Sequence, residues 1–236
     1  MESQNIQNVD PKDCRIWMRS PRLEDMLSTD EVESLRRDML WNTQREPIIV
    51  RPYGGKQKSE IKYEVVTGTK RYAAAADIQY DYDSEFRLKA MVQNLTNKQA
   101  FELCHRPGPH QLDLSTFECA LSYGSALRFK IYHNPDDLVA ATEQPIEWVL
   151  DHLVIDSLPM DCMFLFPIWS AVTFDEARQL CSVMMWEPKR FNDTLLRLHL
   201  LHGEGTFFSK QELLSEFGAS KYEIEEHPFE RPDSIH

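Results

Sequence analysis

Across residues 131–177 the chain contains no lysine and no arginine, while nine aspartates and glutamates fall in the same 47-residue span. Residues 1–130 balance 19 bases against 19 acids, and residues 178–236 carry seven against ten. Three quarters of the net charge of -12 therefore sits in one block. A face that meets nucleic-acid phosphates has the opposite sign, so this block is not an ordinary DNA-binding surface.

Other absences narrow the class further. No window approaches the run of about 18 apolar residues that a membrane span needs. The opening "MESQNIQNVDPKD" lacks the basic-then-apolar order of a signal peptide. Cys14, Cys104, Cys119, Cys162 and Cys181 are odd in number, scattered and without a C-x-x-C pair, which points to reduced thiols and a cytoplasmic protein. No zinc-type spacing joins Cys104, His105 and His110 or His199 and His202, so no metal ligands are assigned. No G-x-S-x-G elbow is present and no carboxylate pair stands out, so no catalytic residue is assigned either. No internal repeat is visible.

What is present reads as two halves. Residues 1–20 carry no element signal and are expected to form a loose arm. Ser28-Thr29-Asp30-Glu31 opens a helix as a capping box, with Val32, Leu35 and Met39 on one stripe. "PIIVR" (Pro47–Arg51) and "IKYEVV" (Ile61–Val66) read as strands, and "EFRLKAMV" as a half-buried strand. "TKRYAAAA" and "NKQAFELC" read as short helices. Beyond "HRPGPH" three more capping boxes, at Ser115, Thr173 and Ser209, each open an amphipathic run. The expected architecture is an α+β domain at 21–110 with a mixed sheet, an all-helical domain at 111–220, and a polar tail at 221–236 without fixed structure. Trp148 and Trp169 are expected in the core.

The stretch "YEVVTGTKRYAAA" is the strongest local candidate for a site. Gly68 can take positive φ, the following helix start offers N–H groups and a positive dipole end, and Lys70 and Arg71 add full charges. An ordinary strand-to-helix turn with two solvated cations explains the same residues, because "GTKR" is not a P-loop.

The order of parts adds a second line. "CRIWMRSPRLEDMLSTDEVESLRRDML", "TQREPIIVRP", "YEVVTGTKRYAAA", "LTNKQAFEL" and "DLSTFECALSY", spanning about Cys14 to Leu180, resemble the ParB family of plasmid and chromosome partition proteins. The resemblance implies a ParB/sulfiredoxin-like nucleotide-binding domain that uses CTP, followed by a helix-turn-helix that reads a centromere-like DNA site; the cofactor expected here is CTP or another nucleoside triphosphate with magnesium, or none. It places Gly68, Thr69, Lys70 and Arg71 in the G-E/A-R-R box that holds the triphosphate, with Arg51 and Pro52 on the strand lining that pocket. Thr69 stands where sulfiredoxin has its catalytic cysteine, which excludes sulfiredoxin chemistry.

Two departures from the family bear on function. Its E-N-x-x-R box is replaced by Pro107-Gly108-Pro109-His110-Gln111, which removes the acid that helps hold magnesium and so argues against CTP hydrolysis. The helix-turn-helix, 134–159, keeps Leu138, Trp148, Val149 and Leu153. Its turn glycine has become Glu143, however, and the face toward a partner now reads Gln144, Pro145, Ile146, Glu147 and Asp151. Recognition helices place polar residues on base edges and cations on the flanking phosphates, and acids there meet repulsion. The expected function is a ParB-like protein of a plasmid or mobile element that has lost ordinary DNA binding and works through protein contacts, as a competitor or an assembly subunit. Two alternatives stay open: a DNA-binding partition or regulatory protein, and a nucleotide-hydrolysing or nuclease enzyme using the Gly68–Arg71 pocket. The partner is expected to be a protein, no membrane is involved, and a homodimer is compatible with the sequence.

Overall fold

The structure is a computed structural model that describes residues 6–22, 27, 29–54, 60–107 and 113–219. The expected tail at 221–236 lies outside the described residues, as do Ser28 and residues 108–111 of the replaced third box. Two compact units are present, divided between Asp156 and Ser157, further along than the compositional break near residue 110.

The first unit is built on a five-stranded mixed sheet. In chain order come β1 (Ile6–Val9), β2 (Cys14–Ile16), α1 (Thr29–Asn42), β3 (Ile48–Pro52), β4 (Tyr63–Thr67), α2 (Thr69–Asp81) and β5 (Leu88–Val92). The strand order is β1-β5-β3-β4-β2. β1 pairs antiparallel with β5, and β3 antiparallel with β4; β3–β5 and β2–β4 are parallel. Residues 6–16 correct the expectation of a loose arm, because they supply both edge strands of this sheet. Strands of four and three residues carry too little periodicity to be read, and their pairing partners lie some 50 to 80 residues away.

The apolar runs of β3 and β4 are explained by burial on both faces. Successive side chains of a strand point to opposite sides, and Val65 and Val66 accordingly feed two different cores. On one face Ile48, Val50, Val65 and Leu88 pack with Val32 and Met39 of α1 and Ala74, Ala75 and Ile78 of α2. On the other, Val66 and Trp17 pack with α3 (Asn97–His105), α4 (Thr116–Arg128), α5 (Pro135–Thr142) and α6 (Ile146–Ile155) through Phe101, Cys104, Tyr123, Leu138 and Val149. Each large side chain buried in this way contributes about 1.5–3 kcal/mol.

Helix starts follow the sequence closely. The capping boxes at Ser115 and Glu118, Thr173 and Glu176, and Ser209 and Glu212 all form. A further box joins Thr96 and Gln99 at the start of α3. The second unit holds α7 (Met160–Phe164), α8 (Phe174–Trp186), α9 (Pro188–Gly203) and α10 (Lys210–Phe217). Its core includes Leu180, Phe191, Leu198, Leu213 and Phe217, with the Phe191 and Phe217 rings 5.0 Å apart. The fold class expected from the sequence, a mixed α+β unit followed by helices, is the one observed.

Candidate functional site

The box residues lie where a strand hands the chain to a helix. β4 ends at Thr67, and Gly68 caps α2 with φ 86 and ψ 29. No side chain caps this helix, so its first-turn N–H groups receive no internal side-chain acceptor. Thr69, the first helical residue, is buried, and its Oγ1 has no hydrogen-bond partner. An unpaired buried hydroxyl costs about 1–3 kcal/mol, so a molecule that could reach and satisfy it would gain from doing so. Free amides, a positive dipole end and an orphan hydroxyl form a donor set that suits an oxyanion.

Both cations of the box are already paired. Lys70 Nζ lies 2.6 Å from Glu31 Oε1 of α1, and Arg71 Nη2 bonds Glu46 Oε2 just ahead of β3. Beside Arg71 opens a cleft of about 190 Å³ lined by Leu35, Asp38, Met39, Gln44, Arg45, Glu46 and Arg71. Gln44 fixes the chain there: its Nε2 donates to Glu46 O and Lys89 O, each at 2.9 Å, and its Oε1 accepts from Lys89 N at 2.6 Å. Nothing in the sequence signals these pairings of Glu31, Glu46 and Gln44, because each meets its partner only through tertiary contact.

Arg51 is engaged elsewhere. Its Nε and Nη2 donate to Glu64 Oε2 at 3.0 and 2.7 Å, and its Nη1 donates to Leu95 O at 3.1 Å. Arg15 binds the other oxygen of the same carboxylate at 2.6 Å, so Glu64 joins β2, β3 and β4 across their registered positions. Arg51 stands opposite Glu64, four residues before Gly68 on β4, which is ~13 Å along the strand. The structure thus gathers Gly68, Thr69, Lys70 and Arg71 into one turn and holds Arg51 in a buried ion pair.

In the stretch expected to be a helix-turn-helix, two helices, α5 and α6, are joined by a short turn. Asn134 caps α5, accepting from Asp137 N at 2.9 Å, and Pro135 takes the first helical position. Glu143 ends α5 in the left-handed region, φ 58 and ψ 26, with Arg106 Nε 3.5 Å from its carboxylate. α6 buries Val149, His152 and Ile155. Pro145, Glu147, Trp148 and Leu150 are exposed, and Gln144, Ile146 and Asp151 are half-buried. The exposure of Trp148 (39%) corrects the expectation of a core aromatic: it follows from its place on α6 beside Glu147, away from Val149.

Among the described residues no group of three or more histidines, cysteines, aspartates and glutamates is placed to hold a metal. All five cysteines are free, and burial pushes the Cys14, Cys104, Cys119 and Cys181 thiols up to about 12, which leaves them poor nucleophiles. Among the described residues no helix is long and apolar enough to cross a membrane.

Comparison with known proteins finds a family match for the first half. Residues 1–104 match the ParB N-terminal domain family. The match covers the sheet, α1, α2 and nearly all of α3, and so includes the Gly68–Arg71 turn. The chain is also similar to the C-terminally truncated chromosome-partitioning protein ParB from Caulobacter crescentus in two solved structures. One is complexed with CTP-gamma-S, at 19% identity over 75% of this chain and 92% of that one, TM-score 0.37. The other is complexed to the centromeric parS site, at 18% identity over 92% and 100%, TM-score 0.42. Both superpositions are loose, and neither bears on the chemistry of the site. No curated protein matches the chain.

Proposed function

We propose that this chain is a ParB-type bacterial cytoplasmic protein whose helix-turn-helix contacts a protein instead of duplex DNA, and whose Gly68–Arg71 turn holds a nucleoside triphosphate without hydrolysing it. The observation that carries the first part is the outward face of α6. It exposes Glu147, Trp148 and Leu150, with no lysine or arginine anywhere in 131–177. DNA affinity rests largely on cations that displace counterions from phosphates, and this helix supplies none. An acidic helix with an exposed tryptophan and leucine suits a partner that is basic around an apolar pocket. A plasmid-borne competitor or assembly subunit would use such a face, and a homodimer is compatible with it.

CTP is the ligand that the family resemblance implies, and Gly68, Thr69, Lys70 and Arg71 fit its phosphates through amides, hydroxyl and cations. The same residues do not fit magnesium. None of the four carries a carboxylate, and the third-box acid is absent from the sequence. Bound CTP would supply a polyanion to organise the turn, and this chain's residues would bind and orient it.

A mobility-shift assay at about 150 mM salt tests the main reading, since specific DNA binders hold their sites at roughly 10 nM or tighter there. No shift is expected with DNA from the native host. A salt-sensitive shift would favour the second reading, a DNA-binding partition or regulatory protein, which the intact α5–turn–α6 arrangement supports.

A further inference from the structure

The anions nearest the box cations are the protein's own. Glu31 sits in the first turn of α1 and Glu46 one residue before Pro47, so neither belongs to the box that it neutralises. Glu46 is held in place from behind, because Gln44 ties its carbonyl to the β5 backbone at Lys89. A second ion pair, Arg45 with Asp38 at 2.9 Å, lines the same cleft. At about 190 Å³ this cleft is small beside the roughly 300–1,000 Å³ of pockets that enclose whole organic ligands. It admits a small anion, and a nucleotide only after its walls move.

We infer that Glu46 is the built-in counter-ion of Arg71 and that a polyphosphate binds this turn by displacing it, with Glu31 acting in the same way on Lys70. The inference rests on reading Gly68–Arg71 as a phosphate site and names the groups that set its affinity. The physical reason is competition for one set of donors. A guanidinium that faces a phosphate bidentately must release its carboxylate. A carboxylate that stayed would stand against the incoming charge and repel it. Exchange is feasible because the pair is open to water: the Glu46 side chain is 72% exposed and that of Arg71 33%. Glu46 and Glu31 therefore act as specificity-setting residues, favouring ligands that carry several negative charges over weak single anions.

Titration calorimetry with CTP and with inorganic triphosphate on the whole chain tests this. Glu46→Gln keeps the shape and removes the charge. Its dissociation constant for either probe should fall about 2- to 5-fold, the range that release of one exposed ion pair gives. Glu31→Gln should tighten binding in the same direction, and the double variant by about the product of the two. Glu204→Gln, an exposed charge change in the second unit, should leave the constants unchanged. Tighter binding in Glu46→Gln, or binding that appears only in that variant, supports the inference. Wild-type binding that Arg71→Ala abolishes and Glu46→Gln leaves equal or weaker would overturn it while the phosphate site stands. Silence of wild type and both variants toward both probes would remove the phosphate site and the inference together.

Discussion

Gly68 is pressed against Ile48: a β-carbon on the glycine would stand 2.5 Å from Ile48 Cγ2, with the Ile48 backbone behind it at 3.4 Å. The glycine of the box is therefore required twice before any ligand is considered. Its φ of 86 excludes most side chains, and β3 occupies the space a side chain would need. Gly68→Ala should destabilise the first unit by about 2–5 kcal/mol, adding a left-handed penalty of ~1–2 to an overpacking penalty of ~1–3 kcal/mol. A urea midpoint within error of wild type would show that the turn relaxes freely.

Two arginines once expected in the same pocket should separate by phenotype. Glu64 holds Arg51 in a nearly dry pair and Arg15 at its more open edge, and Glu64→Gln leaves two guanidiniums without their counter-charge. That change should lower stability by about 3–5 kcal/mol, and Arg51→Ala by a similar amount. Arg71→Ala removes a solvent-open pair and should cost about 1 kcal/mol or less while abolishing CTP binding. Urea unfolding and calorimetry on the three variants read the difference. If Arg51→Ala were fully stable, Arg51 would return to the list of ligand groups.

These contrasts show which parts of the molecule could be read from its sequence. β3, β4, β5 and the capping boxes at Ser115, Thr173 and Ser209 were legible because their signals are local, a hydrophobic run or a hydroxyl three residues before a glutamate. The turn at Gly68 was legible for the same reason. β1 and β2 were not, because a four-residue strand such as Ile6–Val9 is defined by its partner Leu88–Val92 and not by its own pattern. The ion pairs of Glu31, Glu46 and Glu64 were equally hidden: each acid is ordinary in sequence, and only the fold chooses its cation. Trp148 misled for a related reason, since an aromatic residue reports burial only on average.

The turn between α5 and α6 stores strain. Glu143 takes φ 58, a conformation that a non-glycine residue adopts at a cost of roughly 1–2 kcal/mol. Its carboxylate pairs with Arg106 at 3.5 Å, an exposed contact worth about 0–1 kcal/mol. Glu143→Gly should therefore stabilise the first unit by up to about 1 kcal/mol, seen as a higher urea midpoint at unchanged slope. It should not create DNA binding, because the cations missing from α6 remain missing. A lower midpoint would mean that the Arg106 pair outweighs the backbone term.

Two histidines make the second core of the first unit sensitive to acid. His105 stacks on Phe101 at 4.2 Å and shares a 2.8 Å hydrogen bond through Nε2 with Ser122 Oγ. Burial, with a smaller contribution from neighbouring His152, pushes its pKa down from 6.5 to about 3. Burial also lowers His152, against a partial offset from its hydrogen bond to the Trp148 carbonyl. Both rings are thus harder to protonate when folded, whereas the unfolded chain takes up their protons near pH 6.5. The unfolded state binds more protons below that point, so stability is full above about pH 6.5 and falls as pH falls toward the folded values. His105 adds a slope that approaches about 1.4 kcal/mol per pH unit below pH 6, His152 adds to it in the same direction, and between about pH 6 and 5 few carboxylates titrate to obscure it. His105→Gln keeps a polar partner for Ser122 and removes one titrating group. Urea unfolding across that window should show the slope reduced by about 1.4 kcal/mol per unit. An unchanged slope would mean that His105 is protonated, or reachable by water, in the folded protein.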